Sequence, residues 1–191
     1  LAVPLALPLA FARMSKRRAL RLPGAAYISF MRGTPLMLQI LVVYFGPWYL
    51  LGIRIDFSYK LYAVIIAFAL NYAAYFAEIY RAGIESIPVG QREAAHVLGM
   101  SRPQAFGRII LPQVIKRILL PVSNEVITLV KDTALVTAIG MVELYRVARN
   151  AASASGSLEP LFVAGLFYLV LNALLTAVFD WMGGKLDYYK G

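Results

Sequence analysis

Apolar residues run through this chain in long blocks, divided by short polar stretches. The first block, Leu1–Phe11, is too short to cross a bilayer core of about 30 Å, which takes about 20 residues in a helix. It reads as the C-terminal half of a first span whose earlier part is missing. A basic cluster follows, and Leu22–Met31 suits a short interfacial helix. Pro35 opens a second span reaching about Leu51, with Gly46–Pro47 expected to kink it. Gly52–Tyr59 is a loop, and Lys60 to about Arg81 is the third span. A fourth runs from about Gln113 to Lys131, with Pro121 in its first half. Thr133–Arg149 is less regular and suits a re-entrant or buried helix, Asn150–Ser157 a small polar loop, and Pro160–Met182 the fifth span. The prediction is an all-α integral membrane protein: one domain over residues 1–191, a five-span bundle with its first span truncated.

The longest polar interruption runs from Glu85 to Pro112. Its punctuation predicts two short helices with a break between them. Pro88 suits a helix start, where a missing N–H costs nothing. Gly99 suits the end of that helix, since glycine tolerates positive φ. Ser101, three before Gln104, forms a capping-box pattern for the second helix. Pro112 ends that helix or begins the next element. Ala94, Ala95, Val97 and Leu98 give the first helix an apolar patch beside Arg92, Glu93 and His96. Such a displayed amphipathic pair docks a protein or lies on lipid.

Composition agrees with the pattern. The chain is 60% hydrophobic and 15% charged, with mean hydropathy +0.68, well outside the soluble range. It has no cysteine, so thiolate chemistry is excluded. The net charge of +9 does not point to nucleic acid, because the basic residues are juxtamembrane rather than gathered on one face. Of 19 lysines and arginines, only Arg54, Lys60, Lys131, Arg146 and Arg149 fall on the proposed outer side, leaving 14 inside. That bias predicts an outer N-terminus and a cytoplasmic C-terminus. Tyr44, Trp48, Tyr49, Tyr59 and Tyr62 suit an outer aromatic belt, and Tyr188 and Tyr189 an inner one.

The ordered motifs resemble those of ABC-importer permeases. Glu93-Ala94-Ala95, Gly99 four residues on, and Ile110-Leu111-Pro112 resemble the EAA motif. Arg32-Gly33-Thr34-Pro35-Leu36, Leu70-Asn71, Ala77-Glu78-Ile79, Ser86-Ile87-Pro88, Gly90-Gln91 and Lys131-Asp132-Thr133 resemble the polar-amino-acid branch. Ala134 departs from the serine common there. The resemblance implies a type I permease fold in a bacterial inner membrane. It implies a second permease subunit, identical or related, ABC ATPase subunits that bind ATP and Mg, and a substrate-binding protein that delivers a polar amino acid. It assigns ATPase coupling to Glu93, Ala94, Ala95 and Gly99. An opine or small peptide is an alternative solute; a channel, a secondary carrier or a membrane scaffold are rivals of other classes.

Catalytic constellations are lacking. No G-x-x-x-x-G-K-[ST] run is present, so the chain does not cradle ATP phosphates that way. His96 is the one histidine, which excludes a multi-histidine metal site and reads as a coupling-surface residue. No clear internal repeat is present. The informative residues are polar groups at membrane depth, where a charge costs about 2.5–3.5 kcal/mol and so faces a cavity or a partner. Glu125, Thr128 and Asp132 share one face of the fourth span by their spacing. They offer two carboxylates and a hydroxyl to an amino group. The alternatives are an ion pair of Glu125 with Lys131 or another basic residue, and neutralisation of Asp132 by Lys131. Gln39 and Asn71 either line the same path or hydrogen-bond between helices. Glu78 is three before Arg81 and suits a local ion pair. Arg32 reads as a cytoplasmic-side anchor, with Gly33 and Pro35 shaping the turn into the second span.

Overall fold

A computed structural model describes residues 1–186. Tyr188, Tyr189 and Lys190 lie outside the described residues, so the inner belt they suggested is not assessed. Among the described residues nine α-helices follow in order: α1 Ala2–Met14, α2 Arg18–Gly33, α3 Leu36–Leu51, α4 Tyr59–Glu85, α5 Val89–Val97, α6 Arg102–Ala105, α7 Leu111–Asp132, α8 Leu144–Ser155 and α9 Glu159–Lys185. A π-helical turn, Phe106–Ile110, joins α6 to α7, and a 3₁₀ stretch, Thr133–Ile139, follows α7. The described residues contain no strand.

Helix α4 is the central post. It packs against α1 most extensively, and against α2, α3 and α7. The contact with α1 is made of small side chains. Ala6 and Ala10, one turn apart, are buried in one cluster with Ala67, Ala74 and Ala77. Without a hydrophobic force between helices in lipid, such close backbone approach supplies the packing. Helix α9 packs on α7 and α8 and otherwise presents an apolar outer surface. By length and apolar composition α4 and α9 qualify as spans on their own, and α2 and α3 qualify together as one bent span.

The sharpest turn lies between α2 and α3, bent by 105° at Gly33–Pro35. Gly46–Pro47, where a kink is expected, lies inside a helix unbroken to Leu51. Pro47 deprives the Val43 carbonyl of its helical donor, and the Tyr59 hydroxyl donates to that oxygen instead, at 3.1 Å. Tyr44 and Tyr59 also stack.

The segment after α7 divides where its capping residues dictate. Gly140 takes φ +72° and ends the 3₁₀ stretch. Glu143 then caps α8, accepting from the Tyr145 and Arg146 amides at 2.7 and 2.6 Å. Asn150–Ser155, expected in a loop, is instead the end of α8, held by packing on α9. Gly156, φ +67°, makes the turn.

Candidate functional site

The α2–α3 bend leaves backbone carbonyls without helical donors, a serious cost at membrane depth. Two amides satisfy them. Gln39 Nε2 donates to the Met31 carbonyl at 3.0 Å and to Thr34 Oγ1 at 2.8 Å. Asn71 Nδ2 donates to Gln39 Oε1 at 3.0 Å and to the Met31 carbonyl at 3.2 Å. Both side chains are buried. Gln39 is therefore a strut across the bend, while Asn71 is strut and cavity wall at once.

That wall belongs to a cavity of about 490 Å³ between the bend, α4 and α7. Asn71, Glu125, Thr128 and Asp132 all line it, so four of the five residues expected on the path meet there; Gln39 stands behind them. Asp132 Oδ2 accepts from the Tyr72 hydroxyl at 2.8 Å. Thr128 Oγ1 donates to the Asn124 carbonyl at 2.9 Å, which leaves its oxygen lone pairs toward the cavity. Glu125 is half-buried and, among the described residues, has neither a hydrogen-bond nor an ion-pair partner. Neither carboxylate pairs with Lys131, which is exposed. Arg32, across the cavity, acts on Glu125 electrostatically from beyond ion-pair distance.

Three cavity residues escaped the sequence reading. Tyr72 and Tyr75 share the Asn71 side of α4 and line the cavity. Arg32, expected as an anchor, turns its guanidinium over the Tyr75 ring and also lines it. The signal available was the stripe Asn71, Tyr72, Tyr75, polar tips at helical spacing in an apolar span. The Glu78–Arg81 pair is present at 2.7 Å, and Arg13 of α1 joins it at 3.5 Å.

The second site is the loop between α4 and α7. Pro88 precedes α5, and Gly99 takes φ +73°. The Gly99 amide donates to the His96 carbonyl at 2.9 Å and the Met100 amide to that of Ala95 at 3.0 Å, a Schellman ending. The Ser101–Gln104 capping box opens α6. Of the two alternatives at Pro112, the second holds: it begins the next element rather than ending the second helix. That helix runs on through the π turn into α7, where Pro112 occupies the first turn. Ala95 is 0% exposed and packs inward, whereas Glu93, Ala94 and Gly99 are at the surface with Val97 at 86% and Leu98 at 75% exposure. A groove of about 660 Å³ runs past Glu93, His96 and Phe106. Ile87, Ile110 and Val114 cluster at the base of the loop. There Arg117 donates to the Ser86 carbonyl. The loop is thus fastened to both α4 and α7.

A family model described as the binding-protein-dependent transport system inner membrane component matches residues 2–188. The chain belongs to that family. This permease is 46% identical over 153 residues to the arginine transport system permease protein ArtQ of Bacillus subtilis (strain 168), covering 80% of this chain and 68% of the relative. It is 40% identical over 181 residues to the octopine transport system permease protein OccM of Rhizobium radiobacter, covering 92% and 74%. The crystal structure of an amino acid ABC transporter with histidines superposes with a TM-score of 0.85 at 34% identity, covering 96% of this permease and 85% of that chain. The inward-facing MetNI methionine ABC transporter, at 19% identity, shares the fold with a TM-score of 0.76 over 98% and 86%. The fold is that of type I ABC importer permeases. The chain is a membrane component of such a system and not an enzyme.

Proposed function

We propose that the permease forms the translocation path for a polar amino acid, with the cavity beside Glu125 as the solute site. The observation that carries this is the half-buried Glu125 carboxylate on the cavity wall, with no hydrogen-bond or ion-pair partner among the described residues. A solute ammonium would donate to Glu125, with the Thr128 oxygen as a further acceptor and Asp132 held in place by Tyr72. The relative named for arginine transport supports that class. A second reading, an opine as solute, is favoured by the octopine relative.

The chain is read as one domain of five spans in a bacterial inner membrane, N-terminus out and C-terminus cytoplasmic, as its basic residues suggest. A second permease subunit completes the path. ATPase subunits, which bind ATP and Mg, dock on α5 and α6 at Glu93, Ala94 and Gly99, with Ala95 as the packing residue beneath. A binding protein delivers solute from outside. ATP-driven closure of the ATPases would move the loop. Its fastening to α4 and α7 would carry that motion to the two helices that wall the cavity.

The test is radiolabelled amino-acid uptake in proteoliposomes holding the complete transporter and binding protein, with ATP inside. Glu125→Gln is expected to lower uptake about tenfold while ATP hydrolysis persists, the effect of losing one charged hydrogen-bond partner. Equal uptake in wild type and variant would remove Glu125 from the path.

A further inference from the structure

Three cavities share one side chain. Arg32 lines the main cavity, an inner one of about 500 Å³ walled by Glu78, Arg81 and Arg117, and a smaller one of about 290 Å³ beside Arg13. Tyr75 and Glu125 are common to the first two. The guanidinium carbon of Arg32 stands 5.3 Å from the Tyr75 ring centroid. Among the described residues no carboxylate lies within ion-pair distance of it. Glu78, the acid of the inner cavity nearest the loop, is engaged by Arg81 and Arg13. Among the described residues Arg32 is also the one basic side chain on the main cavity wall, facing a wall that carries Glu125 and Asp132.

The Arg32 side chain is exposed, Glu125 and Glu78 act on it only from beyond ion-pair distance, and its planar fork of donors matches a carboxylate. The two acids across the cavity complement an ammonium. An α-amino acid carries both groups, and a decarboxylated amine only one. We propose that Arg32 binds the carboxylate of the transported amino acid while Glu125 takes its ammonium, and that the carboxylate stays on Arg32 as the solute passes from the main to the inner cavity. This rests on the reading of the main cavity as the solute site, and it fixes the substrate class as compounds that keep a free carboxylate. The ring of Tyr75 parks the guanidinium between solutes, a cation–π contact that a carboxylate displaces.

The experiment uses the permease assembled with its ATPase in lipid nanodiscs, without the binding protein, so that selectivity belongs to the membrane part. Equilibrium binding is measured for radiolabelled L-arginine and for agmatine, its decarboxylated counterpart. Wild type is expected to favour L-arginine by about 10- to 100-fold, the size of one charge-assisted pair. In Arg32→Gln the ratio is expected to fall to about one while agmatine binding is retained, with Arg32→Lys intermediate; a purely structural role would weaken both ligands together. ATP hydrolysis by each variant reports assembly. A ratio in Arg32→Gln equal to that of wild type overturns the assignment, as does equal affinity for the two ligands in wild type, which needs no variant. Glu125→Gln separates the two levels: if it leaves both ligands bound as in wild type, the cavity reading itself fails, whereas binding that needs Glu125 with a ratio indifferent to Arg32 overturns Arg32 alone.

Discussion

Replacing Asn71 by leucine tests whether the bend between α2 and α3 is held by side-chain amides. Asn71→Leu removes two hydrogen bonds, to Gln39 Oε1 at 3.0 Å and to the Met31 carbonyl at 3.2 Å. Met31 O keeps its donation from Gln39, but Gln39 Oε1 loses the partner that Asn71 gives it. A buried acceptor left unsatisfied costs about 1–3 kcal/mol, and a hydrogen bond between membrane helices contributes about 0.6 kcal/mol on average. The expected loss is therefore about 2 kcal/mol, read by reversible denaturation of the purified transporter in mild detergent. Gln39→Leu strips more acceptors from the bend and is expected to cost at least as much. Each single variant leaves the Met31 carbonyl one of its two donors and the double variant leaves it neither, so the double variant is expected to be the least stable of the three. A double variant no less stable than Asn71→Leu, or Asn71→Leu as stable as wild type but inactive in uptake, would refute the strut and make Asn71 a solute ligand only.

Gly99→Val puts a β-branched residue at φ +73°, a local cost of about 1–2 kcal/mol that the exposed loop relieves by changing its turn. The expected result is normal membrane insertion with ATP hydrolysis no longer driving uptake; unchanged uptake would show that the turn is not needed. At Gly83 an added methyl would run into the Ile118 side chain where α4 meets α7. Gly83→Ala is expected to destabilise the transporter by about 1–3 kcal/mol in the same denaturation assay, and a stability equal to wild type would mean the helices separate freely.

What could be read from sequence divides by physical range. The α5–α6 loop was legible because Pro88, Gly99 and the Ser101–Gln104 box act on their own backbone, and each does in the fold what its chemistry allows. The common face of Glu125, Thr128 and Asp132 was legible because helical spacing alone fixes it. Long-range satisfaction was not. Pro47 carries the local mark of a kink, but the residue that repairs its carbonyl, Tyr59, comes from the far side of a loop. Gln39 and Asn71 each looked like either wall or strut; only their meeting at Met31 separates the two, with Gln39 a strut and Asn71 both. Ala95 sits in the motif beside exposed neighbours, yet helix rotation turns it inward. Arg32 followed the rule that basic residues mark the inner side, a rule that counts charges and ignores which way a long side chain reaches.

The absence of cysteine in the chain permits one direct test of the cavity as a path. Thr128→Cys places a single thiol on the cavity wall. Its rate of reaction with a membrane-impermeant thiol reagent would be measured in proteoliposomes of the complete transporter, with and without ATP plus vanadate, and with and without L-arginine. The expected result is a rate that changes when the ATPases are trapped closed and falls when the amino acid is present. A thiol that reacts at one rate under all these conditions would contradict a solute site exposed to one side of the membrane at a time.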